Sequence, residues 1–259
     1  MAGLFDIAGK TALVTGGSRG IGKAICECLA SEGCNLSLCA RGLPGLARTA
    51  GELRRRGIRV HAAAADVAAR GAIERFIDDT ASVFGEIHHL VANVGGTVRQ
   101  GFFEATPEDW LRTFDVNALH AVRAIRAAVP HMKQPEICSA VIVASISGWK
   151  PGPRPQYGAA KAAEIFLAGA LAQELAARRI RVNTLSPGSI LFPGGGWDRF
   201  RRENPERFDR FVRGAFPWGR LGTAEEVADA AVFLLSPRSR WINGANIPVD
   251  GAQGEPTAR

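Results

Sequence analysis

The stretch "QYGAAK" carries Tyr157, the only tyrosine in a chain that uses Phe thirteen times and Trp five times. Lys161 follows four residues later, so on a helix the two side chains share one face. An ammonium beside a phenol favours the phenolate. A phenol poised between its protonation states can give a proton to an alkoxide and take it back in reverse. Such a pair supports proton transfer at an alcohol or carbonyl oxygen.

A second stretch, "TGGSRGIG" (15–22), could hold the partner for that chemistry. Glycines let the backbone approach a pyrophosphate closely, and a following helix presents free N–H groups and the positive end of its dipole. Gly16, Ser18, Arg19, Gly20, Ile21 and Gly22 are therefore candidate cofactor contacts. In a dinucleotide-binding βαβ unit, an acid closing the second strand holds the ribose 2′-OH of NAD. Here the strand closes "LCAR", with Ala40 and then Arg41 in place of a carboxylate. Arg41, helped by Arg19, suits a 2′-phosphate, because guanidinium forks match phosphate geometry. NADP(H) is expected over NAD(H).

These residues need elements to position them. Strands are predicted at 11–17, 35–40, 59–66, 88–94, 139–145, 181–187 and 246–251, each short, apolar and rich in β-branched residues or alanine. Helical spacing predicts helices over 22–33, 43–56, 70–84, 107–133, 157–178, 197–216 and 223–235. Strands that are apolar on both faces and alternate with helices imply a parallel sheet covered on both sides. No linker, repeat or low-complexity tract divides the sequence, so residues 1–259 read as one doubly wound α/β domain.

The glycine loop, "YGAAK" and the strand order together make the chain, from about Lys10 to Gly251, resemble the short-chain dehydrogenase/reductase family. It is most similar to the 3-oxoacyl-[acyl-carrier-protein] reductase-like members. The resemblance implies a Rossmann-type fold, NADP(H) or NAD(H), and hydride exchange at a carbonyl or alcohol. It also implies catalytic roles for Asn117 in "DVNALH", Ser145 in "VASISG", and Tyr157 with Lys161. Ser145 would bind the substrate oxygen, Tyr157 would be the acid/base, and Lys161 would activate it and hold the nicotinamide ribose. Asn117 would support a water relay. Asp66 and Val67 match the adenine contact, Asn93 and Gly95 the cofactor wall, and Pro187 with Gly188 the segment against the nicotinamide.

The chain departs from the family pattern in places. "ANVG" puts Ala92 and Val94 where Asn and Ala are usual. Phe192 stands where a threonine commonly meets the carboxamide, so that contact is expected to be lost or to move to Ser189 or the Ile190 backbone. Phe192, Trp197, Phe200, Phe208, Phe211, Phe216 and Trp218 populate an insert read as a substrate lid at about 189–220. Trp149, Phe192 and Trp197 are expected to line a mostly apolar substrate cavity with Ser145. Arg199, Arg201, Arg202, Arg207, Arg210 and Arg213 decorate that insert, as a solvated face or as a dock for a carrier protein or coenzyme A.

Composition bounds the rest. The chain is 46% hydrophobic and 22% charged, the profile of a globular protein. Its net charge of +7 is scattered and forms no nucleic-acid module, so no nucleic-acid partner is expected. No apolar run reaches membrane-spanning length, and "MAGLFDIAGK" has no signal-peptide pattern, so a cytoplasmic protein is expected. Five cysteines without CxxC or His partners read as free thiols, with no metal site. A homotetramer built on the helices at 107–133 and 157–178 is expected from the resemblance. Two other readings stay open: an NAD-dependent dehydrogenase of a cyclic or secondary alcohol, and a non-catalytic NADPH-binding protein.

Overall fold

A computed structural model of the protein describes residues 4–99, 101–132 and 138–254. Its strands are β1 (Thr11–Thr15), β2 (Asn35–Ala40), β3 (Val60–Ala64), β4 (His89–Ala92), β5 (Cys138–Val143), β6 (Ile180–Pro187), β7 (Ile190–Leu191), β8 (Gly222–Thr223) and β9 (Asn246–Val249). Seven form one sheet in the order β3-β2-β1-β4-β5-β6-β9. Every pairing in it is parallel, with Ala12, for example, opposite Leu36 on one side and His89 on the other. β7 and β8 make a separate parallel pair.

The helices are α1 (Gly20–Ser31), α2 (Leu43–Arg54), α3 (Ala72–Phe84), α4 (Pro107–Phe114), α5 (His120–Ala128), α6 (Pro155–Glu174), α7 (Gly196–Glu203), α8 (Pro205–Ala215) and α9 (Ala224–Leu235). One apolar core joins α1, α2 and α9 to one face of the sheet through Ile25, Leu29, Leu46, Leu53, Val227 and Val232. A second joins α3, α5 and α6 to the other face through Ile73, Ile77, Ala121, Ile125, Ala168 and Ala172. Every residue of β1, β4, β5 and β6 is buried, as strands covered on both faces must be. This is the doubly wound α/β arrangement expected from the alternation of elements. Strand order reverses between β1 and β4, so the loops leaving their carboxyl ends part and leave a crevice there.

Two predicted helices are broken. The stretch 107–133 is interrupted by a π-helical turn at Asp115–Leu119 and ends in a 3₁₀ turn at Val129–His131. Such wide turns gather at functional sites, and this one holds Asn117. The stretch 197–216 divides into α7 and α8 at Asn204, because Pro205 disfavours helical backbone before it and opens a new helix at its first position. α1 begins at Gly20, two residues before the predicted start, because Gly16 and Gly17 make the turn out of β1. Ser145 lies two residues past β5, as the N-cap of a 3₁₀ turn. Burial pushes the Cys34 and Cys39 thiols up to about 12, so both are inert packing groups. No helix among the described residues is long and apolar enough to cross a membrane, and none of their His, Cys, Asp and Glu clusters could hold a metal ion.

Candidate active site

The crevice floor is the turn from β1 into α1. Gly16 has φ of +71°, a left-handed backbone that favours glycine. A Cβ on Gly16 would stand 2.9 Å from Asn93 Nδ2, and one on Gly22 would strike the Gly16 carbonyl. Asn93 closes the turn: its Nδ2 donates to Thr15 O at 2.9 Å, and its backbone N–H donates to Thr15 Oγ1 at 3.0 Å. Ser18 O accepts from Thr49 Oγ1 at 3.3 Å, and the Ile21 side chain packs onto the core. No side chain caps α1, and its first turn carries no acid. Its leading N–H groups are left for an anion, which fits the diphosphate of a dinucleotide. Arg19 and Arg41 are exposed beside this turn, and neither is paired with a carboxylate among the described residues. At the far side Asp66 Oδ1 accepts from Ala68 N at 3.1 Å. The buried Val67 offers its carbonyl to Arg123 Nη2 at 2.9 Å, and Asp115 holds that arginine at 2.7 Å.

The proton-handling residues meet on α6. Pro155 opens that helix, and the side chains of Tyr157 and Lys161 lie one turn apart, with Nζ 5.6 Å from the phenol ring centroid. Lys161 is buried; Nζ donates to Val143 O and to Glu164 Oε2, both at 2.9 Å. A Cβ on Gly95 would stand 2.6 Å from Asn117 Oδ1 and 2.8 Å from Lys161 Nζ. The loop after β4, the π-helical turn and α6 therefore converge on one point. The 3₁₀ turn that Ser145 caps lies against α6: a Cβ on Gly148 would be 3.0 Å from the Lys161 carbonyl carbon. Ser145 Oγ accepts from Ser147 N at 3.1 Å, which leaves its own proton to donate. The Ser147 carbonyl faces α6, 2.9 Å from where a Cβ on Gly158 would stand.

The Asn117 carboxamide is fully engaged. Nδ2 donates to Gly96 O at 2.6 Å and Thr113 O at 2.7 Å, and Oδ1 accepts from Gly96 N at 3.1 Å. Its side chain fixes the Gly95–Gly96 loop. His120, one turn on, bonds Thr15 Oγ1 at 3.0 Å. Burial, then the Lys161 charge, pull its pKa down to about 3, so it is a neutral strut.

A tie from the other end of the chain holds the Pro187–Gly188 segment. Gly188 N donates to Val249 O at 3.0 Å, and Ser189 N donates to Gln253 Oε1 at 2.7 Å. Lys150, just past the Ser145 turn, donates to Asp250 and to Gln253 O, both at 2.7 Å. Gln253, Lys150, His120 and Glu164 are the site residues that sequence reasoning missed. Only Glu164 left a signal, as a lone acid in the apolar run "KAAEIFLAGALA".

The sequence model of the family described as Enoyl-(Acyl carrier protein) reductase matches residues 16–252. The chain belongs to the short-chain dehydrogenase/reductase family. It is 32% identical over 253 residues to isoepoxydon dehydrogenase patN of Aspergillus clavatus, covering 95% of both chains. It is 34% identical over 248 residues to a tropinone reductase homolog of Arabidopsis thaliana, covering 95% of this chain and 91% of that one. Among solved structures, L-sorbose reductase from Gluconobacter frateurii, complexed with NADPH and L-sorbose, matches at 32% identity and a TM-score of 0.90. It covers 100% of this chain and 99% of that one.

Phe192, expected in the substrate wall, lays its ring on the glycine turn. A Cβ on Gly20 would be 2.8 Å from Phe192 Cε2 and Cζ. Phe192 directly follows β7, which pairs in parallel with β8. Trp197 stacks on Phe211 with centroids 4.6 Å apart and meets Phe200 edge-on, inside the small core of α7 and α8. Trp149 is half-buried just after the Ser145 turn, and Ile190 is buried beneath the Pro187–Gly188 segment. The six insert arginines are all exposed, and Asp198 pairs with Arg201 at 3.0 Å and Arg202 at 3.3 Å.

Proposed function

We propose that the protein is an NADP(H)-dependent oxidoreductase that interconverts a ketone and a secondary alcohol. The observation that carries this reading is the pairing of Tyr157 with the buried Lys161 on α6, against the turn that Ser145 caps and near an uncapped glycine turn. Arg19 and Arg41, which pair with no carboxylate among the described residues, favour a 2′-phosphate on the cofactor, and a related L-sorbose reductase is solved with NADPH.

Bound nicotinamide supplies the hydride in reduction and accepts it in oxidation. The protein's own groups manage position and protons. The turn at Gly16–Gly22 and the leading N–H groups of α1 hold the diphosphate, while Asp66 and Val67 border the adenine. Ser145 donates its free O–H to the substrate oxygen and fixes its place. Tyr157 gives its proton to that oxygen as negative charge develops on it, and removes it in the reverse direction. Lys161 supplies positive charge beside the phenol. Asn117 works through structure, locking the Gly95–Gly96 loop against Lys161. The α7–α8 segment covers the crevice as a lid, and its outward arginines leave room for a carrier- or coenzyme A-bound substrate. A homotetramer in the cytoplasm completes the proposal.

NADPH consumption across a panel of neutral ketones, β-ketoacyl thioesters and cyclic ketones tests it, with Tyr157→Phe as the control. Turnover is expected with NADPH in preference to NADH, and a loss of roughly 10²–10⁴-fold in the variant. Cofactor binding without turnover of any carbonyl would sink the catalytic reading. A preference for NADH with cyclic alcohols would select the NAD-dependent dehydrogenase.

A further inference from the structure

Glu164 has no part in the chemistry above, yet it touches the group that controls it. On α6, three residues beyond Lys161, its Oε2 lies 2.9 Å from Nζ, with side chains only 1% and 2% exposed. A buried ion pair is a poor source of stability compared with apolar residues of similar volume, and the other buried positions of α6 include Ala160, Ala168 and Ala172. A carboxylate at this point needs another reason. It has a geometric one: of the three ammonium donors of Lys161, Val143 O takes one and Glu164 takes another.

We infer that Glu164 is a positioning residue of the reaction, which clamps the Lys161 ammonium and opposes its charge on Tyr157. Opposing that charge favours the protonated phenol, the proton donor needed for reduction. The inference rests on the reading of Tyr157 as acid/base and specifies how that acid is set. Burial works against the Lys161 ammonium, but Glu164 and Tyr157 outweigh it and raise its pKa, so the lysine stays charged. Burial also raises the Glu164 pKa, against the pull of Lys161.

Several other charges on elements packed near α6 are engaged elsewhere. His120 of α5 is neutral. Asp115 of the π-helical turn is held by Arg123, and Asp109 of α4 lies 3.5 Å from Arg99. Lys150, beyond the Ser145 turn, pairs with Asp250, and Arg181 of β6 caps α9 through the carbonyls of Leu234, Leu235 and Ser236.

The experiment uses Glu164→Gln, which keeps the volume and an acceptor for Nζ but removes the charge. Because Tyr157 is the only tyrosine, phenolate absorbance in a pH titration of the folded protein reports it alone. Lys161 Nζ lies 2.9 Å from the carboxylate and 5.6 Å from the phenol ring centroid, and a unit charge at a separation of roughly 8 Å, at an effective dielectric of about 20, moves a titration by about 1.5 pH units. The titration midpoint is expected to fall by about that much in E164Q. The alkaline limb of ketone reduction and the acidic limb of alcohol oxidation should fall with it, and the KM for substrate should hold. A purely structural role would lower melting temperature and rate at every pH and leave the midpoint in place; that result overturns the inference. The absorbance titration needs no turnover, so it reads Glu164 even if no carbonyl is reduced. Should E164Q not fold, Glu164→Asp carries the same test by withdrawing the charge from Nζ. Its midpoint should fall by a few tenths of a pH unit, and an unmoved or rising midpoint is again fatal.

Discussion

Replacing Gly95 with alanine asks whether the site is as tightly closed as its distances say. The new Cβ would sit 2.6 Å from Asn117 Oδ1 and 2.8 Å from Lys161 Nζ, closer than carbon tolerates to either atom. Neither neighbour can yield freely. Asn117 is pinned by three hydrogen bonds to Gly96 and Thr113, and Nζ by Val143 O and Glu164. Overpacking of this kind costs about 1–3 kcal/mol. At this chain length each kcal/mol lowers the melting temperature by roughly 2–4 °C. The larger effect is expected in catalysis, because a shift of about 1 Å in a positioned group costs on the order of 100-fold, or about 2.7 kcal/mol. Gly96→Ala is the matched control, since its Cβ would meet nothing within 4 Å. The assay is kcat/KM with NADPH and the best ketone, alongside calorimetric melting of both variants. Gly95→Ala with the activity and melting temperature of Gly96→Ala would refute the packing argument.

Arg41→Ala should raise the KM for NADPH by roughly 10- to 100-fold and leave that for NADH unchanged, since one charge-assisted hydrogen bond is worth about 1.5–3 kcal/mol; steady-state kinetics with the two cofactors checks it. Phe192→Ala should raise the KM for NADPH while sparing the KM for the ketone, because its ring lies on Gly20; the reverse pattern would return Phe192 to the substrate wall. Hydrogen bonds from Arg220 and from the Thr223 N–H hold the Glu226 pKa down to about 2 from its usual 4.5. A depressed acid stabilises the fold above its unfolded pKa and loses that effect as pH falls through the folded value. Thermal melts of wild type and Glu226→Gln should therefore differ most above about pH 4.5 and converge near pH 2.

The sheet was legible because its determinants are local. Short apolar strands alternating with amphipathic helices leave few topologies, and the buried strands β1, β4, β5 and β6 read directly as apolar runs. The two breaks differ in kind. "RRENPER" contains its own signal in Pro205, but the amphipathic pattern runs on through it and masks the division into α7 and α8. The π-helical turn leaves no such trace. It places Asn117 against Gly96, and Gly96 comes from a loop twenty-one residues earlier in the chain. Helical spacing is a property of neighbours, and nothing in "DVNALH" states what will pack on it.

The same limit divides the site. That Tyr157 and Lys161 share a face follows from their spacing of four, and Glu164 could have been added on the same ground, at a spacing of three. Whether that carboxylate turns inward depends on Val143 and Gly95, contributed by β5 and the loop after β4, which leave the ammonium a second acceptor and no room to swing away. The contact of the Phe192 ring with Gly20 is likewise one that spacing cannot state, since it joins the segment after β7 to the start of α1. Spacing along one helix thus identifies which groups can act together. The protonation state in which they act is set by contacts between elements, and in this site those contacts centre on Lys161.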